Sequence, residues 1–239
     1  MKLYDQIIRD TEKLLGCAAQ KQWDYSPEKA WAQTKSSELV LTRDAAYELG
    51  GDGKPSANYS CITEDQALVP KDEILLYGRD LSEINEDVPY ARIALMTVSD
   101  MYDEDEELYK AIRDIEFVKY RVFPKGYMLR TSPESSKEQV RVDKSELHRG
   151  MSFEAIGAAY IQKYKENPRV KNVRMIFITD DAADYAALLA HAREVDAITK
   201  TLTHILEGFS TDCSSCKLKS LCDEVEGMRE IHFKRNKKS

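Results

Sequence analysis

The chain has 239 residues, 42% of them hydrophobic, with 13 Tyr and 6 Phe, which supports a folded core and excludes a disordered protein. Charged residues make up 32% and the net charge is −7, so no global attraction to nucleic acid or anionic membrane is expected. No stretch approaches the ~18 apolar residues of a membrane span, and Met1–Leu15 is too charged for a secretory leader.

The expectation is therefore a cytoplasmic protein whose five cysteines serve metal binding or catalysis rather than disulfides. In chain order, Met1–Gln20 carries Leu3, Tyr4, Ile7, Ile8, Leu14 and Leu15 at helical spacing, with Gly16 as its end and Cys17 as a buried or half-buried thiol. Asp24–Pro27 reads as a turn, and Ser26-Pro27-Glu28 starts a short helix through Trp31. Glu38–Thr42 and Asn58–Ile62 read as strands, and the glycines and proline of Glu48–Pro55 make the span between them a loop. Glu73–Tyr77 and the nearly continuous apolar run Ala91–Val98 are the clearest strands, separated by a polar turn or short helix at Asp80–Glu86.

Asp103–Ile115 is an acidic amphipathic helix. Phe117–Phe123 and Tyr127–Thr131 read as extended runs joined by a hairpin-like Pro124-Lys125-Gly126, and Glu138–Asp143 as a half-wet strand. Ser152 caps a helix reaching Asn167, Lys171–Thr179 is a buried strand, and a long helix spans Asp181–Glu207 before Gly208. Helices and strands are interleaved without strict βαβ alternation, so the fold class is α+β, with a mixed or antiparallel sheet and packed helices. The basic tail Phe233–Ser239 is expected to be solvated.

Chemistry concentrates in Asp212-Cys213-Ser214-Ser215-Cys216-Lys217-Leu218-Lys219-Ser220-Leu221-Cys222. The C-x₂-C spacing lets one turn of chain bring two sulfurs onto one metal or cluster, and Cys222 reaches a third corner. Lys217 and Lys219 help keep those thiolates ionised. A redox C-x-x-C pair is the weaker reading, because it leaves Cys222 without a role. A closed site wants a fourth ligand; His232, Asp212, Asp223, Glu224 and the distant Cys17 or Cys61 are the candidates, unless one iron keeps an open position. His148, His191 and His204 are read as structural or exposed, and Gly50-Gly51-Asp52-Gly53 as a plain turn rather than a phosphate cradle.

The chain resembles the acetyl-CoA synthase subunit of the carbon monoxide dehydrogenase/acetyl-CoA synthase complex. The resemblance rests on Ala46-Tyr47-Glu48-Leu49-Gly50-Gly51, on Asp72-Glu73-Ile74 through Tyr77-Gly78-Arg79-Asp80-Leu81-Ser82-Glu83-Ile84, on Ile156–Thr179, and on Cys213-Ser214-Ser215-Cys216. It implies that Cys213, Cys216 and Cys222 hold a four-iron cluster. The family's Cys-Gly-Cys nickel pair has no counterpart after Cys222. What the resemblance implies is a truncated, stand-alone form: an N-terminal helical segment (1–36), an α+β domain similar to the middle of the synthase (37–208), and a Cys-rich cluster-binding end (209–239).

The expected function is a cluster-bearing or accessory component of anaerobic one-carbon metabolism, with corrinoid or carbon monoxide dehydrogenase complex proteins as partners, and with self-association left open. The rival expectation is a zinc-stapled interaction module without catalysis. A third is an enzyme using an open cluster iron or a bound nickel.

Overall fold

The apolar runs assemble into one mixed sheet, seen in a computed structural model that describes residues 3–16, 19–35, 43–51, 53–99, 105–132 and 137–206. Its strands are β1 (Lys21–Asp24), β3 (Ser56–Thr63), β4 (Glu73–Tyr77), β5 (Tyr90–Val98) and β8 (Val170–Ile178), in the order β1-β4-β8-β5-β3. β4 runs parallel to β8 and β3 parallel to β5, whereas β1/β4 and β5/β8 are antiparallel. A second, antiparallel sheet has the order β2 (Ala46–Leu49), β7 (Lys137–Asp143), β6 (Tyr127–Ser132). The fold is thus α+β with a mixed sheet and packed helices.

Residues paired in register share a face of the sheet, which assigns the layers. Ile74, Leu76, Phe177, Arg92 and Ser60 fall on one face, covered by α4 (Phe153–Tyr164). Phe153 stacks on Phe177 at 4.6 Å between centroids, and Ser60 Oγ lies 3.3 Å from the Tyr164 hydroxyl. A Cβ on Gly157 would come within 2.8 Å of Ile74, so α4 sits as close to β4 as a glycine permits. The other face, with Tyr59, Cys61 and Thr63, is covered by α1 (Asp5–Leu15) and α5 (Tyr185–Leu206). Thr11 and Asp5 of α1 bond the Tyr59 hydroxyl and the Thr63 hydroxyl there, both at 2.8 Å.

The ends of these helices follow their sequence. Gly16 ends α1 in the left-handed region (φ 38°), its N–H donating to Glu12 O. The Ser152 hydroxyl accepts from Ala155 N at the start of α4. α2 (Asp105–Glu116) keeps the expected acidic helix.

The segment expected to be extended at Phe117–Phe123 differs: Phe117–Tyr120 is a 3₁₀ turn. Ile112, Ile115 and Val118, all buried, recur every three residues, and that spacing winds the chain onward rather than stretching it. Pro124-Lys125-Gly126 is no hairpin tip either. It is pinned across the molecule by a bridge from Pro124 to Gln33 and by Trp31 Nε1 donating to Lys125 O at 2.9 Å. The hairpin partner of β6 is β7. The strand expected at Glu38–Thr42 lies outside the described residues, as does everything from residue 207 onward. Among the described residues, no helix is long and apolar enough to cross a membrane.

The two sheets meet at an ion pair. Arg92 of β5 donates to Glu138 of β7 through Nε (2.7 Å) and Nη2 (2.6 Å), with side chains 2% and 0% exposed. The guanidinium also lies 4.4 Å from the Tyr160 ring centroid, and beside it the Tyr90 and Tyr127 hydroxyls share a 2.6 Å bond. Removing one partner of a buried pair strands the other charge, whereas removing both does not. Glu138→Leu is therefore expected to destabilise the protein by roughly 3–5 kcal/mol in urea denaturation, and Arg92→Met with Glu138→Leu to recover most of that loss. Equal losses in the single and double variants would contradict the assignment.

Candidate functional site

Cys213, Cys216, Cys222 and His232 lie outside the described residues, and so does Cys17. Among the described residues, no group of three or more His, Cys, Asp or Glu side chains is placed to hold a metal ion. What the structure does describe is the element leading into the cysteine segment, α5, and the bed on which it rests.

Cys61, considered above as a distant fourth ligand, is part of that bed. It is fully buried on β3, and burial, reinforced by Glu116 and Glu194, pushes its thiol well above the ordinary range. In the described fold Cys61 therefore serves as a buried packing group. His191 of α5 meets Tyr59 edge-on at 6.2 Å, and Nδ1 of exposed His148 lies 2.6 Å from Lys144 O at the end of the short helix α3 (Lys144–His148).

The distal half of α5 is tied to α2 through Glu116. The Thr199 hydroxyl lies 2.8 Å from each carboxylate oxygen of Glu116, which is only 5% exposed. Desolvation raises the Glu116 pKa above its ordinary 4.5, and Asp196 adds to the rise, while Lys119 and the Thr199 bond oppose it. The α2/α5 contact is thus closed by an acid whose burial favours its protonated form.

A second feature lies at the carboxyl ends of the parallel strands β4 and β8, the place where ligands commonly bind in such sheets. A polar depression of about 350 Å³ is lined there by Gln20, Gly78, Arg79, Glu83, Thr179, Asp180 and Asp181. Gly78 (φ 109°) permits it, because a Cβ at that position would meet Asp180 N at 2.5 Å. Its N–H donates to Gln20 Oε1, and Thr179 Oγ1 donates to Arg79 O at 2.7 Å. Arg79 bonds Glu86 at 3.0 Å and lies 3.9 Å from Asp181. The rim mixes both signs of charge, so it suits a small polar or zwitterionic molecule better than a bare ion. In the sequence, Gln20, Thr179 and Asp181 fall at the ends of expected helices and a strand and Glu83 in a polar turn or short helix, with no site among them; the signal available was a polar turn directly after each of two apolar strands.

Residues 46–51 and 72–84 contain structural joints. Gly50 (φ 69°) brings its turn against Ser56 and the Glu138 carbonyl, where a Cβ would fall within 2.7 Å of both. Glu48 pairs with Arg141 at 2.7 Å. Asp80 caps the 3₁₀ turn Leu81–Glu83 by accepting from Leu81 N (2.7 Å), and it also accepts from Phe153 N (2.9 Å), locking that turn to the start of α4.

No protein-family model matches the chain, and no curated protein is similar enough to it to count as a relative.

The Glu116 environment has a testable sign. An acid whose folded pKa is raised contributes stability that is complete below its unfolded value, 4.5, and lost as pH rises through its folded value. Glu116→Gln keeps a partner for Thr199 but cannot ionise. Urea midpoints of parent and variant are expected to diverge in the variant's favour as pH rises from 4 toward 8. A difference that stays constant with pH would refute the raised pKa.

Proposed function

We propose that this protein is an iron–sulfur protein similar to acetyl-CoA synthase, acting as a cluster-bearing or accessory component of anaerobic one-carbon metabolism. The observation that carries the reading is the grouping of Cys213, Cys216 and Cys222 within ten residues, directly after α5. Thiolate ligands favour iron–sulfur or zinc chemistry among first-row metals, and Lys217 and Lys219 offset the negative charge of a thiolate-bound cluster.

With Cys61 engaged in the core, His232, Asp212, Asp223 and Glu224 remain the nearby candidates for a fourth ligand. α5 supports the reading as a base for such a site, since it is held along its length by the sheet at His191 and by α2 at Thr199. A bound cluster would supply electron transfer or, at an open iron, ligand binding. Its partners would be corrinoid or carbon monoxide dehydrogenase complex proteins.

Anaerobic purification followed by metal analysis and visible spectroscopy tests the reading. About four irons per chain, with an absorption bleached by reduction, is the expected result. Cys216→Ser is expected to lose the iron while keeping the far-ultraviolet circular dichroism of the parent. Iron-free protein with stoichiometric zinc would replace the proposal with a zinc staple, and metal-free protein with freely alkylated thiols would end both.

A further inference from the structure

The polar depression at the ends of β4 and β8 holds charges that face one another without closing. Arg79 commits Nη1 to Glu86 at 3.0 Å, while its Nη2 stands 3.9 Å from Asp181, beyond hydrogen-bond reach. Lys54 serves Asp181 no better, at 3.8 Å. Asp180 accepts from Ala182 N at 3.0 Å through Oδ1, and no described residue bonds its Oδ2. Exposed pairs elsewhere do close: Lys71 meets Asp24 at 2.6 Å, and Lys163 meets Glu166 at 2.6 Å. Guanidinium and carboxylate capacity is thus left over around one gap.

Gln20 adds a third open group. Its Oε1 accepts from the Gly78 N–H, which leaves the amide NH₂ to donate. Glu83, by contrast, is already engaged on both oxygens, by Lys21 Nζ at 2.8 Å and by Asp80 N at 2.7 Å. The lining contains no hydrophobic residue.

A bare cation would meet Arg79 here, and a bare anion would meet Asp180 and Asp181. A molecule bearing both charges on one carbon satisfies all three. With its carboxylate at Arg79 Nη2 and its ammonium at the two aspartates, the charges alternate in sign and each lies beside its opposite. A volume of about 350 Å³ leaves room for a side chain as well, and the open amide of Gln20 selects one that carries a hydrogen-bond acceptor. We propose that this depression binds a small polar α-amino acid, held by Arg79 at its carboxylate, by Asp180 and Asp181 at its ammonium, and by Gln20 at its side-chain oxygen. The inference goes beyond the iron–sulfur reading and is independent of the cysteine segment. Asp181 is exposed, so water screens these contacts and the binding is weak.

Isothermal titration calorimetry of the full chain with L-glutamine tests this, with a dissociation constant of roughly 0.1–1 mM expected. N-acetyl-L-glutamine lacks the ammonium and L-glutaminamide lacks the carboxylate; each is expected to bind at least about tenfold more weakly. L-leucine keeps both charges but offers Gln20 no acceptor, and is expected to bind more weakly than L-glutamine. Arg79→Met and Asp181→Asn are each expected to weaken L-glutamine binding at least about tenfold while keeping the far-ultraviolet circular dichroism of the parent. Cys216→Ser is expected to bind L-glutamine as the parent does, which separates this inference from the metal reading. No heat of binding up to about 10 mM L-glutamine, equal binding of the acetylated and amidated analogues, or folded Arg79 and Asp181 variants that bind like the parent would overturn the proposal.

Discussion

The arrangement of the whole molecule turns on one desolvated ion pair. A guanidinium buried to the extent of Arg92 is tolerable only when a carboxylate meets it at two points, and Glu138 does so. Because Arg92 belongs to β5 and Glu138 to β7, that requirement fixes the small sheet against the large one in position and in register. The close contacts around it follow. Gly50 can approach Ser56 and the Glu138 carbonyl only because it lacks a Cβ, and Tyr160 closes over the guanidinium from α4. Three elements distant in sequence are thereby committed to one geometry.

Much of this architecture was legible in the residues. Glu73–Tyr77, Ala91–Val98, the Ser152-capped helix and the buried strand before α5 announce themselves by length and apolar continuity, and each stands within a few residues of its expected bounds. β1 and β2 were not legible. Each is four residues long and carries charged or amide side chains, so no period emerges, and each owes its existence to pairing with β4 or β7 rather than to local preference. The turn at Phe117–Tyr120 was misread because aromatic and β-branched residues suggested a strand, while the three-residue spacing of buried positions carried the truer signal.

The ion pair itself leaves a trace in the sequence. An arginine inside an otherwise apolar central strand demands a buried acid somewhere, but sequence alone does not say that the acid stands 46 residues away. The candidate chemistry shows the reverse pattern. The cysteines are conspicuous by spacing, because ligands to one metal must be near neighbours when they share a segment. The polar depression between β4 and β8 is invisible until the sheet brings Gly78 against Asp180, since its lining comes from three separate parts of the chain.

The sheet order also bears on how this protein is made. β8 occupies the middle of the large sheet, yet it spans residues 170–178, whereas both of its neighbours, β4 and β5, are complete by residue 98. During synthesis, two largely apolar strands therefore leave the ribosome with no mutual pairing available and wait for more than seventy residues before the strand that joins them appears. Until then the edge of each strand that β8 covers has no native partner, an exposure of the kind that invites mispairing with other extended segments.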